Sequence, residues 1–357
     1  MTDHSTPSYE LAIVGGGPAG LTTALYTTRL GHPTVVFETE GGRHAAVSHV
    51  HNLLGVSEAV SGRELAAHAV AQLEHYGGDF FQDAVQSVTR RDGPQFRLEA
   101  AHATVDADRV VFATGFRDRG PDVPDLERFT GRGLHYCLHC DAYTLGDGPV
   151  FVLGHTESAA HVAMTMCNFT PDVDLLLDGR EPAWGDETDT QLAAHPVDRI
   201  DTAVVSAYAD DRIDEDEPPW LGGLSFADGT EQDYLGGFAM YGSAYNADLG
   251  CDLGDDGAID VDENRETSVD GIYAVGDVTH GQNQTTIAIG DGASAGLAIH
   301  KDLRTFPKSL AELEDGDDGA DLEQSVPATP SDLRARMRRV RNAETQPGLR
   351  GPPPDRE

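Results

Sequence analysis

The sequence predicts an α/β protein built from two Rossmann-like, three-layer nucleotide-binding domains, the second inserted into the first. Three observations carry this. A glycine fingerprint, Gly15-Gly16-Gly17-Pro18-Ala19-Gly20, follows an apolar run and opens a helical pattern. A second glycine turn, Gly154-His155-Thr156-Glu157-Ser158-Ala159, stands in the same strand-to-helix context far downstream. The motif Gly271-Ile272-Tyr273-Ala274-Val275-Gly276-Asp277 follows later, as though the first fold resumes after an interruption.

The elements follow in order. Tyr9–Val14 reads as a strand, Leu21–Leu30 has helical spacing, and Pro33–Phe37 is a second strand closed by Glu38, which completes a β-α-β unit. Gly15 allows the tight turn, Gly17 lets backbone approach a pyrophosphate, and Gly20 permits close packing of helix on strand. Pro18 and Ala19 start the helix, whose N-terminus favours an anion, and Glu38 is placed to accept from an adenosine ribose. Gly62–Tyr76 reads as an amphipathic helix, and Val85–Glu99 as a hairpin turning at Asp92-Gly93. A strand over Arg109–Ala113 then ends at Thr114-Gly115. The second β-α-β unit has a strand at Pro149–Leu153, a helix to about Asn168 and a strand at Val173–Leu177. Arg180–Pro219 is acidic and reads as irregular, Ile272–Val275 as a strand, and Thr286–Leu303 as a small-residue helix.

Residues 1–117 and 244–306 are thus one discontinuous domain and 118–243 the inserted one. The stretch 307–357 is acidic, then basic, then Pro-rich, and is expected to be mostly disordered. Within it Ser331–Arg341 can form a basic helix after a Ser/Asp cap.

Composition narrows the function classes. Acidic residues number 61 against 25 basic ones, a net charge of −36, and only Lys301 and Lys308 are lysines. The acids are dispersed over loops, as a solvated surface adapted to concentrated salt requires, and such a field repels nucleic acid. No apolar run is long enough to span a membrane. The opening residues carry no basic and apolar leader, so a cytoplasmic location is expected.

Cys137-Leu138-His139-Cys140-Asp141 carries the chemistry. A structural zinc site needs about four ligands, and beyond the two cysteines only His135 and His139 stand nearby, so no metal is assigned, although zinc stays open. A redox dithiol fits better: a CxxC at a helix start has one thiol acidified by the helix dipole. Asp141 can move the proton that thiol exchange demands. Cys167 and Cys251 read as packing residues.

On these motifs the chain resembles the low-molecular-weight thioredoxin reductase family of flavoproteins across about residues 8–304. The residues that carry the likeness are the fingerprint at 15–20, Glu38, Ala113-Thr114-Gly115, the CxxC with Asp141, and Ile272 through Asp277. The resemblance implies FAD as cofactor, with Gly276 and Asp277 at the ribityl chain and Gln284 and Thr285 near the pyrimidine side of the flavin. It also puts Gly42, Asn52, Val85, Thr114 and Gly115 at FAD-contacting positions. Cys140 would face the flavin, while Cys137 exchanges with an external partner, either a thioredoxin-like protein or a small dithiol or disulfide. A homodimer is implied as well.

The likeness fails at the inserted domain. The family's GxGxxA motif has Thr156 at its second glycine here, and its His-Arg-Arg phosphate cluster is replaced by Leu177-Asp178-Gly179-Arg180. Asp178 would repel a 2′-phosphate but could accept from an NADH ribose. A degenerate NADPH site is therefore expected, with NAD(P)H use left open. The segment Gly42–Ala46 continuing through His49–Gly55 resembles the thioredoxin-reductase-like branch that contains fungal dithiol oxidases, which oxidise a dithiol through CxxC and FAD and return electrons to oxygen. The sequence thus reads as an FAD-dependent dithiol/disulfide oxidoreductase. An ordinary NAD(P)H-dependent thioredoxin-disulfide reductase is one alternative, and a non-enzymatic flavin/thiol redox sensor acting through the basic C-terminal segment is another.

Overall fold

Strand β1 (Ser8–Val14) sends Leu11 and Ile13 to one face and Ala12 to the other, and all three are fully buried. A strand apolar on both faces belongs inside a parallel sheet covered on both sides. In this computed structural model, which describes residues 6–39, 42–91, 95–212, 218–245, 247, 250–304 and 330–349, that is its position. Helix α1 (Pro18–Arg29) returns the chain to β2 (Thr34–Glu38), which pairs in parallel with β1 from Leu11↔Thr34 to Val14↔Phe37. After α2 (Gly42–Ala45), helix α3 (Gly62–Tyr76) is capped at both ends. The Ser61 hydroxyl accepts the Glu64 N–H at 3.1 Å, and Gly77, at φ +93°, takes the left-handed conformation that closes the helix.

Strands β3 (Asp79–Gln82), β4 (Val85–Arg90), β5 (Phe96–Ala100) and β6 (Thr104–Phe112) complete this half of the sheet, in the order β3-β2-β1-β6-β5-β4. The expected hairpin is present, although its turn at Asp92-Gly93 lies outside the described residues. Strand β6 is longer than the sequence suggested. Its first part pairs antiparallel with β5, and its last residues also meet a later strand.

The chain divides into two compact units, Met1–Phe116 with Tyr245–Glu357, and Arg117–Ala244. The inserted unit begins within β7 (Phe116–Asp118) and continues with β8 (Leu134–His135) and the one-turn helix α4 (Leu138–Asp141). Strand β9 (Val150–Leu153), helix α5 (Glu157–Met166) and β10 (Val173–Leu176) form its β-α-β unit. Arg180–Pro219 is not irregular. It holds α6 (Asp186–Ala193), β11 (Val197–Ile200) and β12 (Val204–Ala209). Asp186, Glu187 and Asp189 crowd the first turn of α6, where carboxylates stabilise a helix, so acidity that read as loop is helix-starting charge. Strands β13 (Leu221–Phe226) and β14 (Glu231–Asp233) form an antiparallel sheet with β12, and β15 (Gly236–Ala239) joins the parallel sheet, ordered β11-β10-β9-β15-β8.

The first unit resumes after β16 (Ser243–Tyr245), and β17 (Ile272–Ala274) pairs in parallel with the end of β6. Helix α7 (Thr285–Leu303) packs on α1, with Leu21, Ala24, Ala295 and Ile299 in one buried cluster with Leu11 and Ile13. Ala12, Val35, Phe37 and Phe112 face the opposite core with Phe96 and Ile259. Two faces of cover on a mainly parallel sheet make the expected three-layer fold.

Of the expected tail, 305–329 and 350–357 lie outside the described residues. Helix α8 (Ser331–Arg341) starts after Pro330 rather than at a Ser/Asp cap. Its Arg336 donates to the Gly77 carbonyl at 3.1 Å and its Arg339 to the His75 carbonyl at 3.2 Å, so cations meet the carbonyl end of α3. Among the described residues no helix is long and apolar enough to cross a membrane.

Candidate active site

The fingerprint of the first unit has the geometry of a dinucleotide cradle. Gly15 sits at φ +109°, and a side chain there would strike the Ala113 carbonyl. A methyl at Gly20 would strike the Gly15 carbonyl, so only glycine lets α1 lie this close to β1. Gly17 is the N-cap of α1 with no side-chain cap, Pro18 occupies the first turn, and a side chain built at Gly17 would meet nothing within 4 Å. Open space above uncapped N–H groups at a helix N-terminus suits a diphosphate. Glu38, at the end of β2 and 9% exposed, accepts the Gly16 N–H at 2.5 Å and the Thr39 N–H at 2.8 Å. Ala19 is buried directly beneath Gly276.

The other expected flavin positions lie on separate elements of this unit. Gly42 opens α2 at φ +58°, Thr114 and Gly115 (φ +62°) follow β6, and Val85 starts β4, half-buried against the core that holds Phe37 and Phe96. Asn52 and Gln284 come together, the Asn52 amide donating to Gln284 Oε1 at 2.8 Å. Thr285 is the first residue of α7. Gly276 and Asp277 form a single 3-10 turn with Gly276 at φ +71°, closed by the Thr279 hydroxyl on the Gly276 carbonyl at 2.8 Å. Sequence reasoning missed what holds this turn. Asp291 of α7, 6% exposed, accepts the Gly276 N–H at 3.3 Å and pairs with Arg265 at 2.5 Å. An acid amid the Gly, Ala and Ile of the apolar middle of α7 was the available signal. Nearby, Arg43 stacks over Phe116 at 4.8 Å, and burial pushes the pKa of His44 down.

In the inserted unit Cys137 and Cys140 form a disulfide, with Cα atoms 5.4 Å apart. Cys137 is the N-cap of α4. That helix has a single turn, so dipole assistance to the thiol is weaker than a CxxC at a long helix would give. Asp141 follows Cys140, and its Oδ2 lies 3.1 Å from Nδ1 of His135. His139 and Tyr143 are exposed, while Leu138 packs on the core of the unit. Burial raises the pKa of Cys167 and of Cys251, as expected of packing thiols. Among the described residues no group of three or more His, Cys, Asp or Glu side chains is placed to hold a metal.

The second glycine turn is engaged by its own chain. Gly154 (φ +156°) makes the tight turn, but Thr156, the N-cap residue of α5 with no side-chain cap bond, is bridged to Ala183, whose N–H donates to the His155 carbonyl at 2.7 Å. Glu157 in the first turn of α5 accepts from the Thr188 hydroxyl. Asp178, at φ +54°, accepts the Val204 N–H at 3.0 Å and the Tyr241 hydroxyl at 3.2 Å. Arg180 stacks over Tyr241 at 5.2 Å. The aspartate considered for an NADH ribose is thus bonded within the protein.

A family model described as pyridine nucleotide-disulphide oxidoreductase matches residues 9–292. The chain belongs to this family. Its relatives among the pyridine nucleotide-disulphide oxidoreductases include an alkyl hydroperoxide reductase component of Pseudomonas putida, 30% identical over 321 residues. That match takes in 84% of this chain but only 59% of the longer relative. Thioredoxin reductase of Peptoclostridium acidaminophilum is 29% identical over 310 residues, covering 82% of this chain and 96% of that one. Among solved structures, thioredoxin reductase of Streptococcus pyogenes superposes with a TM-score of 0.76 at 28% identity, covering 84% of this chain and 99% of that one. The structure of HlmI superposes with a TM-score of 0.75 at 26% identity, covering 95% and 99%. The protein is a thioredoxin-reductase-like, FAD-dependent disulfide oxidoreductase.

Proposed function

We propose that this enzyme interconverts a dithiol and a disulfide through Cys137 and Cys140, with FAD held by the first unit and with no productive nicotinamide site in the inserted one. The observation that carries the reading is the self-engagement of the second glycine turn. Where a dinucleotide would need open backbone, Thr156 stands in place of the second glycine and is bridged to Ala183, whose N–H donates to the His155 carbonyl, and Asp178 and Arg180 stand where a phosphate-binding cluster would be needed. The Asp178 carboxylate repels a 2′-phosphate, and Arg180 is spent on Tyr241.

In the first unit Gly15, Gly17, Pro18, Ala19 and Gly20 would carry the diphosphate and Glu38 the adenosine ribose. Gly276 and Asp277 would meet the ribityl chain, with Gln284 and Thr285 near the pyrimidine ring. Gly42, Asn52, Val85, Thr114 and Gly115 would complete the flavin site. FAD supplies a two-electron acceptor for the reduced dithiol. A substrate thiolate attacks the Cys137 sulfur, the S–S bond breaks, and Cys140 leaves as a thiolate. Asp141 takes the proton of the second substrate thiol, which then releases Cys137 and completes the substrate disulfide. By the family resemblance Cys140 would be the sulfur that passes the electron pair on to FAD.

The partner is a small dithiol or a thioredoxin-like protein, and the working form is a cytoplasmic homodimer. The relatives named thioredoxin reductase favour a second reading, in which a nicotinamide nucleotide drives the same dithiol in the opposite direction. The test is Cys140→Ser. This variant is expected to stay yellow with FAD yet lose flavin bleaching by a small dithiol under anaerobic conditions. Bleaching at the parent rate would refute the role given to Cys140.

A further inference from the structure

We propose that His135 is a positioning residue for thiol exchange: it holds Asp141 in place beside the dithiol. The inference rests on the role given above to Asp141. His135 ends the two-residue strand β8, where pairing of Gly237 with Leu134 and of Phe238 with His135 fixes the backbone against β15. The side chain is 8% exposed, and its ring lies 6.1 Å from that of Phe238. Nδ1 is 3.1 Å from Asp141 Oδ2, within donating distance of the carboxylate that follows Cys140.

The opposite nitrogen is the second observation. Nε2 of His135 is buried without a hydrogen-bond partner. A histidine kept only to fill this space would be a poor choice, because a buried polar atom left unpaired costs free energy that phenylalanine against Phe238 would avoid. The polar contact of the ring is Asp141. β8 is anchored to β15 and the one-turn helix starts at Cys137, so the imidazole, 3.1 Å from the carboxylate, is placed to support it. Preorganising a proton acceptor at a fixed place is what thiol exchange requires.

The step is the reduction of the Cys137–Cys140 disulfide by dithiothreitol. One dithiothreitol thiolate attacks Cys137, and Cys140 departs with the electron pair of the broken S–S bond. The second dithiothreitol thiol gives its proton to Asp141, closes its own disulfide and releases Cys137 as a thiolate. The proton on Asp141 then passes to one of the two new thiolates. Dithiothreitol is oxidised by two electrons and the protein pair is reduced by two, with the flavin uninvolved.

The experiment measures this opening on the full-length protein in molar salt, by quenching with an alkylating reagent and following the mass shift at Cys137 and Cys140. His135→Phe is expected to lower the rate about tenfold, a part of the 10²–10⁴-fold that a placed proton acceptor supplies, while leaving the melting temperature equal or higher. His135→Asn, which keeps a donor near the place of Nδ1, is expected to recover most of the rate. In an Asp141→Asn background, His135→Phe should have no further effect. A parent-like rate in His135→Phe, or an equal loss with and without Asp141, would overturn the proposal. If the phenylalanine variant does not fold, His135→Met takes its place with the same two outcomes. If Asp141→Asn is itself without effect, the failure belongs to the role of Asp141. If the disulfide opens normally but the flavin never bleaches, the failure belongs to the proposed function.

Discussion

Replacing Glu38 by glutamine tests the cofactor site at its most constrained side chain. Oε2 accepts the Gly16 N–H at 2.5 Å and Oε1 accepts the Thr39 N–H at 2.8 Å. Glutamine offers one oxygen and one NH₂, so one of these backbone donors must face another donor. Where the donor left unpaired is buried, as the Gly16 N–H is, the cost is about 1–3 kcal/mol. Without FAD the loop can turn that N–H to water, whereas in the complex it cannot, so most of the cost falls on binding. Taking about 2 kcal/mol, the FAD dissociation constant should rise about thirtyfold. Fluorescence titration of the flavin-stripped protein in molar salt measures it, with far-ultraviolet circular dichroism as the control for folding. A dissociation constant within about threefold of the parent, on a folded variant, would refute the place given to Glu38.

Two further predictions concern stability. Removing the α3 cap with Ser61→Ala should cost about 1 kcal/mol, visible as a lower melting temperature without loss of bound flavin. Acid should weaken the first unit through a cluster around the buried His32, in which His32 Nδ1 lies 2.5 Å from Glu10, His32 Nε2 lies 2.9 Å from His300, and Arg304 donates to both Glu10 oxygens. Burial pushes the His32 pKa below its usual 6.5; for Glu10 burial acts upward, but the hydrogen bonds from Arg304 and His32 outweigh it and hold the carboxyl below its usual 4.5. Both folded-state values lie below the unfolded ones, so the stability these groups contribute is present above the unfolded values and is lost as the pH falls. Melting temperatures should decline once the pH drops below 6.5 and further through 4.5, and His32→Gln should flatten the first part of that decline. Parallel curves for parent and variant would count against the assignment.

The β-α-β units were legible because glycine spacing and apolar runs are local signals: Gly15 and Gly20 sit where a side chain would strike backbone. The CxxC was legible for the same reason. What the sequence hid was set by distant contacts or by charge with two meanings. The acids of 186–189 read as loop but start a helix, since the same carboxylates suit water and a helix N-terminus. Asp178 read as a possible ribose acceptor because its partners Val204 and Tyr241 come from later strands. His135 stood out only as a possible zinc ligand, since the strand that buries it pairs with residues near Phe238, far along the chain.

The central claim is that electrons enter through the sulfur pair and not through a nicotinamide. The direct measurement mixes the FAD-loaded protein, free of oxygen and in molar salt, with NADPH, NADH or a small dithiol, and follows the flavin absorbance. Bleaching by the dithiol, with both nucleotides inert, is the predicted result. Rapid bleaching by NADPH or NADH with no dithiol present would contradict the account.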